Sequence, residues 1–93
     1  MIKIAICDDE ISFVDCIEKM LKEYEKNTAQ SFVIKKYTKP LYLMDSLKED
    51  FQIFFLDIEM PCLNGVELTE IIRKYDERSI IIFVTSHGEY IAQ

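Results

Sequence analysis

Polar residues that can do chemistry stand directly after three apolar runs of this 93-residue chain. Asp8 and Asp9 follow the first run, Asp57 follows the third, and Thr85 follows the fourth. If these runs are parallel strands, their carboxyl ends meet at one edge of a sheet, so residues far apart in sequence converge there. Neighbouring carboxylates repel one another unless a cation neutralises them, and an all-oxygen set of ligands suits a hard ion such as Mg²⁺.

The chemistry available to such a cluster is phosphoryl transfer. A carboxylate beside Mg²⁺ can act as a nucleophile toward a phosphoryl group, and the Thr85 hydroxyl could hydrogen-bond a phosphoryl oxygen. Each residue taken alone also has a structural explanation. Asp8 or Asp9 could cap a helix, Asp57 could terminate a strand in a turn, and Thr85 could simply end a strand. The combination at the ends of three strands favours the metal site.

Strands and helices alternate in the apolar pattern that would position these groups. Strands are predicted at 2–7, 32–38, 51–56 and 80–84, and helices at about 9–27, 39–48 and 65–75. The residues predicted to face inward from the first and third helices are Ile11, Val14, Ile17, Leu21 and Tyr24, and Val66, Leu68, Ile71 and Ile72. Ser86 and Glu89 have the capping-box spacing of a fourth helix, which would continue for about one turn before Gln93.

The apolar content of the strands predicts their arrangement. Three runs are almost wholly apolar, as expected of strands that are buried on both faces of a parallel sheet. The second, with Lys35 and Lys36, is the most polar and is predicted at an edge. Right-handed crossovers would place helices on both faces. The sequence therefore predicts one α/β domain.

The composition excludes several classes of protein. The net charge of -6, from 17 acidic and 11 basic residues, argues against binding to a nucleic acid backbone or to an acidic membrane surface. Three cysteines and a lone His87 match neither a zinc site nor a disulfide framework. No apolar run approaches the ~20 residues of a membrane span, and no signal peptide is recognised. A cytoplasmic location with no membrane partner is predicted.

Four motifs together resemble the receiver domain of bacterial two-component response regulators. They are IAICDDE at 4–10, LDIEMP at 56–61, NGVEL at 64–68 and FVTS at 83–86. The resemblance covers residues 1–93 and is specific because the motifs occur in the family's order. It implies a flavodoxin-like three-layer sandwich with strand order 2-1-3-4, the family's fifth strand being absent. The TSHGEY stretch at 85–90 resembles receivers attached to LytTR-type DNA-binding domains.

The resemblance also implies a role for each site residue. Asp57 would accept a phosphoryl group from a sensor histidine kinase, and Thr85 would be the switch hydroxyl. Asp8, Asp9 and Asp57 would hold Mg²⁺ together with the backbone carbonyl of Glu59. The output would be transcription, through a DNA-binding effector domain outside this chain. Such a domain is not an enzyme beyond catalysing its own phosphorylation and dephosphorylation.

One departure from the family leads to a further prediction. The family's fifth strand, which carries a lysine that contacts the phosphoryl group, and its fifth helix do not occur in this sequence. Residues 1–93 are therefore predicted to be a C-terminally incomplete receiver, and no other lysine, such as Lys39 or Lys74, is expected at the site. The fourth strand would then expose unpaired amides beside bulky apolar side chains. Homodimerisation through this strand or the fourth-helix region is predicted.

Two alternative functions are compatible with parts of this pattern. A Mg²⁺-dependent phosphatase of the haloacid dehalogenase type also uses a strand-end Asp with a second acid two residues on, as in Asp57 and Glu59. That class expects Asp in place of Glu59, has the nucleophile on its first strand and needs a substrate pocket. The other alternative is a receiver-fold interaction module that is not phosphorylated.

Overall fold

Four parallel strands form one sheet, and, numbered along the chain, they lie in the order second, first, third and fourth, as predicted. The structure is a computed structural model and describes residues 1–84, so the predictions made for Thr85 and the fourth helix lie outside the described residues. The strands are β1 (Ile2–Cys7), β2 (Phe32–Tyr37), β3 (Ile53–Asp57) and β4 (Ile80–Val84). The helices are α1 (Ile11–Asn27), α2 (Pro40–Asp45) and α3 (Gly65–Tyr75), with a 3₁₀ turn at Leu47–Glu49.

The register of the sheet aligns the carboxyl ends of its strands. Cys7 pairs with Tyr37 on one side and with Leu56 on the other. Asp57 pairs with Val84. The residues that follow β1 and the last residue of β3 therefore lie side by side at one edge of the sheet.

Separate apolar clusters cover the two faces of the sheet and confirm the three-layer arrangement. On one face α1 contributes Val14 and Ile17, which pack with Ile4 and Ile6 of β1. The other cluster joins α2, the 3₁₀ turn and α3 to the sheet, and its fully or nearly fully buried members are Ala5, Cys7, Leu43, Leu47, Phe51, Phe54, Leu56, Met60, Leu68 and Ile72. Within residues 1–84, no helix is both long and apolar enough to cross a membrane.

Several predicted inward-facing side chains are exposed instead. Ile11, Tyr24 and Val66 are 55%, 54% and 51% exposed, so the prediction that they face the core was wrong. Val66 lies two residues before the buried Leu68, a step that places it on the opposite side of the helix. Tyr24 stacks on Phe32 at a centroid distance of 6.0 Å but leaves its outer face in solvent.

The second helix and the fourth strand also differ from the sequence-based prediction. The predicted helix 39–48 is divided, because α2 ends at Asp45 and the chain tightens into the 3₁₀ turn, which ends at Asp50 with φ 59°. The strand β4 was predicted to be buried, yet Ile80 and Phe83 are 56% and 43% exposed. Among the described residues β4 pairs only with β3, which makes it an edge of the sheet.

Candidate functional site

Asp8, Asp9 and Asp57 converge at the carboxyl edge of the sheet. Each offers a carboxylate oxygen, and the three oxygens lie within 4.8 Å of one another. Asp8 and Asp57 are almost fully buried, at 2% and 5% exposure, whereas Asp9 is exposed. The convergence predicted from the strand ends is present in the structure, and the cluster is open to solvent on the side of Asp9.

The loop after β1 holds Asp8 in place through its own backbone. The N–H of Asp8 donates to the carbonyl of Tyr37 at 3.1 Å, which ties it to the end of β2. The Asp8 carboxylate accepts a hydrogen bond from the N–H of Glu10 at 2.9 Å. The N-cap residue of α1 is Glu10, and no side chain caps it. The helix-cap explanation for Asp8 and Asp9 is therefore not supported.

The loop after β3 is fixed by a capping box that the sequence analysis did not identify. The Asn64 side chain accepts from the N–H of Glu67 at 2.9 Å, and the Glu67 carboxylate accepts from the N–H of Asn64 at 3.1 Å. The N–H of Gly65 donates to the carbonyl of Ile58 at 2.9 Å. The spacing of Asn64 and Glu67 is the sequence signal that could have revealed this cap.

Glu59 follows Asp57 by two residues and lies at the rim of the site. Its side chain is exposed, and its N–H donates to the Asp57 carboxylate at 3.4 Å. Met60 turns inward beside it and is 8% exposed, with its sulfur 3.8 Å from the Cys7 thiol. The backbone of Glu59 is thereby held next to Asp57, where its carbonyl was predicted to serve as a metal ligand.

The electrostatics of the cluster are those of closely spaced negative charges. Burial raises the pKa of Asp8 from 3.8 to about 6, helped by the charges of Asp57 and Asp9 and opposed by the hydrogen bond from Glu10. Burial and the charges of Asp8, Asp57 and Asp9 raise the pKa of the Cys7 thiol to about 12. A cation bound among the carboxylates would offset their negative charge and would thereby lower the pKa values of both Asp8 and Cys7.

The donor atoms fit Mg²⁺ by type and by spacing. The carboxylates supply hard oxygen ligands, as this ion prefers, and the exposed side leaves room for the waters that it usually keeps. Buried, mutually repelling carboxylates are costly unless an ion or a proton neutralises them. The Thr85 hydroxyl lies outside the described residues, and its role stays a prediction.

Solved structures share this fold. The response regulator protein TrrA from Thermotoga maritima, solved in complex with Mg²⁺ and BeF, matches 100% of this chain and 76% of its own with a TM-score of 0.81 and 24% identity. The BeF3-activated DrrB receiver domain matches 99% of this chain and 74% of its own with a TM-score of 0.78 and 21% identity. At these identities the likeness shows the fold alone.

Relatives by sequence carry the comparison further. The accessory gene regulator protein A of Staphylococcus epidermidis is 33% identical over 91 residues, which cover 94% of this chain and 38% of the relative. The same-named protein of Staphylococcus aureus is 34% identical over the same share of each chain. This chain thus spans less than half the length of these relatives. The family model for the response regulator receiver domain matches residues 4–93. The chain therefore belongs to the response regulator receiver domain family.

Proposed function

We propose that Asp57 accepts a phosphoryl group from a sensor histidine kinase. The observation that carries the proposal is the convergence of three carboxylate oxygens within 4.8 Å at the carboxyl edge of the sheet. Membership of the receiver family supports it, since receivers are signalling domains rather than metabolic enzymes. The complex of TrrA with Mg²⁺ and BeF supports the choice of metal.

In this proposal each residue has one task. Asp8, Asp9, Asp57 and the Glu59 carbonyl hold Mg²⁺, which supplies charge stabilisation for the transferring oxygens when it is bound. One Asp57 oxygen would form a bond to phosphorus as the bond from phosphorus to the histidine nitrogen of the kinase breaks, and that nitrogen would keep the electron pair. The Thr85 hydroxyl would bind a phosphoryl oxygen. Gly65 and the capping box hold the loop that carries Glu59. In this proposal the domain catalyses at most its own phosphorylation and dephosphorylation.

The output belongs to the same proposal. The relatives named accessory gene regulator protein A are much longer than this chain, so a transcriptional output would be carried by a region outside it. The resemblance of TSHGEY to LytTR-type receivers supports a DNA-binding region of that type. A cytoplasmic location fits a partner kinase that acts there and is consistent with the free state of Cys7, Cys16 and Cys62.

Beryllofluoride with Mg²⁺, a mimic of an aspartyl phosphate, tests the phosphoacceptor. We expect amide shifts in nuclear magnetic resonance spectra around Asp57 and Thr85 that require both reagents. The Asp57→Asn variant should lose them, while Glu70→Gln, an exposed acid on α3, should keep them. If the wild type shows no shifts at millimolar reagent, the interaction-module alternative replaces the phosphoacceptor. Hydrolysis of a phosphate monoester above background would instead favour the phosphatase.

Self-association through β4 is also proposed, with a second copy of this chain as the partner. The two edges of the sheet differ in a way that supports this. At the β2 edge Lys36 is paired with Glu18 at 3.0 Å and Asp15 at 3.5 Å, whereas β4 presents the exposed Ile80 and Ile82. Apolar edges recruit other strands, and charged edges resist it. Sedimentation at tens of micromolar should show a dimer that Ile82→Lys converts to monomer, and a monomeric wild type would reject the interface.

A further inference from the structure

A cleft of about 420 Å³ opens beside Asp9, outside the carboxylate cluster itself. One wall is the start of α2, with Lys39 and Leu41, and the other is the loop after β3, with Pro61 and Leu63. The volume lies within the range of sites that bind small molecules, about 300–1,000 Å³. Its walls are mainly apolar, although the neighbouring cluster is strongly acidic.

Both walls of the cleft are fixed by local structure. In the β3–α3 loop the N–H of Leu63 donates to the carbonyl of Pro61 at 2.8 Å, around Cys62 at φ 71°. Leu63 packs against the core cluster below it. On the other wall Pro40 is buried and anchors the first turn of α2. A preformed cleft binds a ligand without the cost of ordering a loop.

The side chains that face solvent here have a composition suited to an apolar anion. Leu41 is 61% exposed, so covering it would remove apolar surface from water. Lys39 brings a cation to the same wall, and its Nζ lies 5.7 Å from the centre of the Tyr42 ring. The apolar walls would hold the body of a ligand, and Lys39 would attract its negative charge.

The cleft is also close enough to the acceptor to take part in its reaction. Asp9 lines the cleft, and a carboxylate oxygen of Asp9 lies within 4.8 Å of one of Asp57. The other end of a small molecule whose phosphoryl group stands at Asp57 therefore has this cleft within reach, on the far side of Asp9. The cleft lies beside the reacting atoms and not among them, which is the position of a specificity site.

We propose that this cleft is a leaving-group subsite for small phosphoryl donors, and that it favours donors whose leaving group is apolar and departs as an anion. The inference rests on the proposed role of Asp57 as the acceptor. Aromatic acyl phosphates such as benzoyl phosphate belong to this class. An Asp57 oxygen forms a bond to phosphorus as the bond from phosphorus to the bridging oxygen breaks. The bridging oxygen keeps the electron pair, so benzoate leaves as a carboxylate and no proton or redox partner is needed.

The test compares two donors in the presence of Mg²⁺. Benzoyl phosphate offers an apolar leaving group and phosphoramidate does not, and intact-protein mass spectrometry measures the rate at which each labels the chain. The readout is the ratio of the two rates, which cancels general effects of folding on the site. We expect the ratio to fall about fivefold in Leu41→Ser, from the lost apolar contact, and to fall also in Lys39→Gln.

Matched variants separate the subsite from general effects of substitution. Met20→Ser removes an apolar side chain of similar exposure, 67%, from α1, and Lys74→Gln removes an exposed lysine from α3. Both should keep the wild-type ratio. A ratio that is the same in Leu41→Ser as in the wild type overturns the subsite, while labelling of Asp57 by either donor leaves the proposed function intact.

A binding measurement decides the case in which neither donor labels the chain. That result would exclude Asp57 as an acceptor from these small donors, while the beryllofluoride titration decides its proposed role with the kinase, and the cleft is then tested by binding alone. Sodium benzoate is then titrated into the wild type with Mg²⁺ present, and amide shifts are followed by nuclear magnetic resonance. Shifts at Leu41 and Leu63 that disappear in Leu41→Ser would support the subsite. Their absence at tens of millimolar benzoate would overturn it.

Discussion

Gly65 packs its Cα against the carbonyl group of Asp57, so closely that a Cβ at position 65 would overlap the Asp57 carbonyl oxygen. The hypothetical Cβ would also stand 3.1 Å from the Asp57 carbonyl carbon and 3.2 Å from the Cα of Ile58. All three are backbone atoms, which cannot move aside as a flexible side chain would. The first residue of α3 is thereby coupled to the backbone of the proposed acceptor.

Substituting Gly65 by alanine should damage both the fold and the metal site. We expect Gly65→Ala to lower the free energy of unfolding by about 2–4 kcal/mol, since a methyl group must displace backbone. Because the displaced backbone is that of Asp57 and Ile58, Mg²⁺ affinity should fall as well. Urea denaturation and calorimetric Mg²⁺ titration measure the two effects.

Asn64→Ala is the control for the Gly65 variant. It removes the side-chain half of the capping box at the same end of α3 but introduces no clash with Asp57. The expected cost is about 1 kcal/mol of stability with little change in Mg²⁺ affinity. Equal loss of Mg²⁺ affinity in the two variants would show that the site responds to any loosening of α3, contrary to the role given to Gly65.

The sequence predicts those features of this site that depend on where the strands end. Asp8 and Asp57 follow apolar runs, and the register of a parallel sheet brings them together regardless of side-chain detail. The edge position of β2 is also predictable, because Lys35 and Lys36 make it the most polar of the four strands. The contact of Gly65 with Asp57 could not be predicted, because it depends on how closely two backbones approach in three dimensions.

The remaining differences between the prediction and the structure arise where packing against the rest of the protein decides which residues are buried and where a helix ends. The apolar periodicity of α1 includes Ile11 and Tyr24, yet only Val14 and Ile17 of that helix are buried, so the pattern overstates the buried length. The residues of the predicted second helix contain no strong stop signal, but the helix ends at Asp45 and a 3₁₀ turn follows. Leu47 lies in that turn and packs in the core, with 8% of its surface exposed. A continuous helix over 39–48 would not necessarily bury this residue.

The aromatic cluster at the amino end of β3 should be a main source of stability. Phe51 is 2% exposed, and its ring lies 6.2 Å from that of Tyr37 and 5.6 Å from that of Phe54. We expect Phe51→Ala to cost about 3–5 kcal/mol, a large part of the stability of a domain of this size, and Phe51→Leu to cost less than half of that. Tyr75→Ala, at a residue 55% exposed, should change the urea midpoint little. Similar midpoints for all three variants would contradict the assignment of this core.

The three cysteines should differ sharply in reactivity. Cys16 and Cys62 are exposed, whereas Cys7 is fully buried and its pKa is raised to about 12. The thiolate is the reactive form, so iodoacetamide at pH 7.5 should modify Cys16 and Cys62 and leave Cys7 free. Peptide mass spectrometry identifies the sites, and treatment in urea should add the third modification. Early labelling of Cys7 in the folded protein would show that β1 is open to solvent.

Asp8 should make the metal-free protein less stable as the pH rises. Its folded-state pKa is raised from the ordinary 3.8 to about 6, so the folded protein binds this proton more tightly than the unfolded chain. The resulting stabilisation is fully present below about pH 3.8 and is lost as the pH rises through 6. In EDTA we therefore expect Asp8→Asn to be more stable than the wild type at pH 7.5, by at most about 3 kcal/mol. The difference should shrink toward zero near pH 4.

Magnesium should offset most of that difference, because the wild type can bind the ion and Asp8→Asn has lost a ligand. At a concentration tenfold to one-hundredfold above its dissociation constant, Mg²⁺ adds about 1.4–2.7 kcal/mol to the stability of the form that binds it. Urea denaturation of both proteins across pH 4–8, with EDTA and with Mg²⁺, measures the whole effect. A stability difference in EDTA that does not vary with pH would show that the Asp8 proton is not the cause. A variant that gained as much from Mg²⁺ as the wild type would remove Asp8 from the metal site.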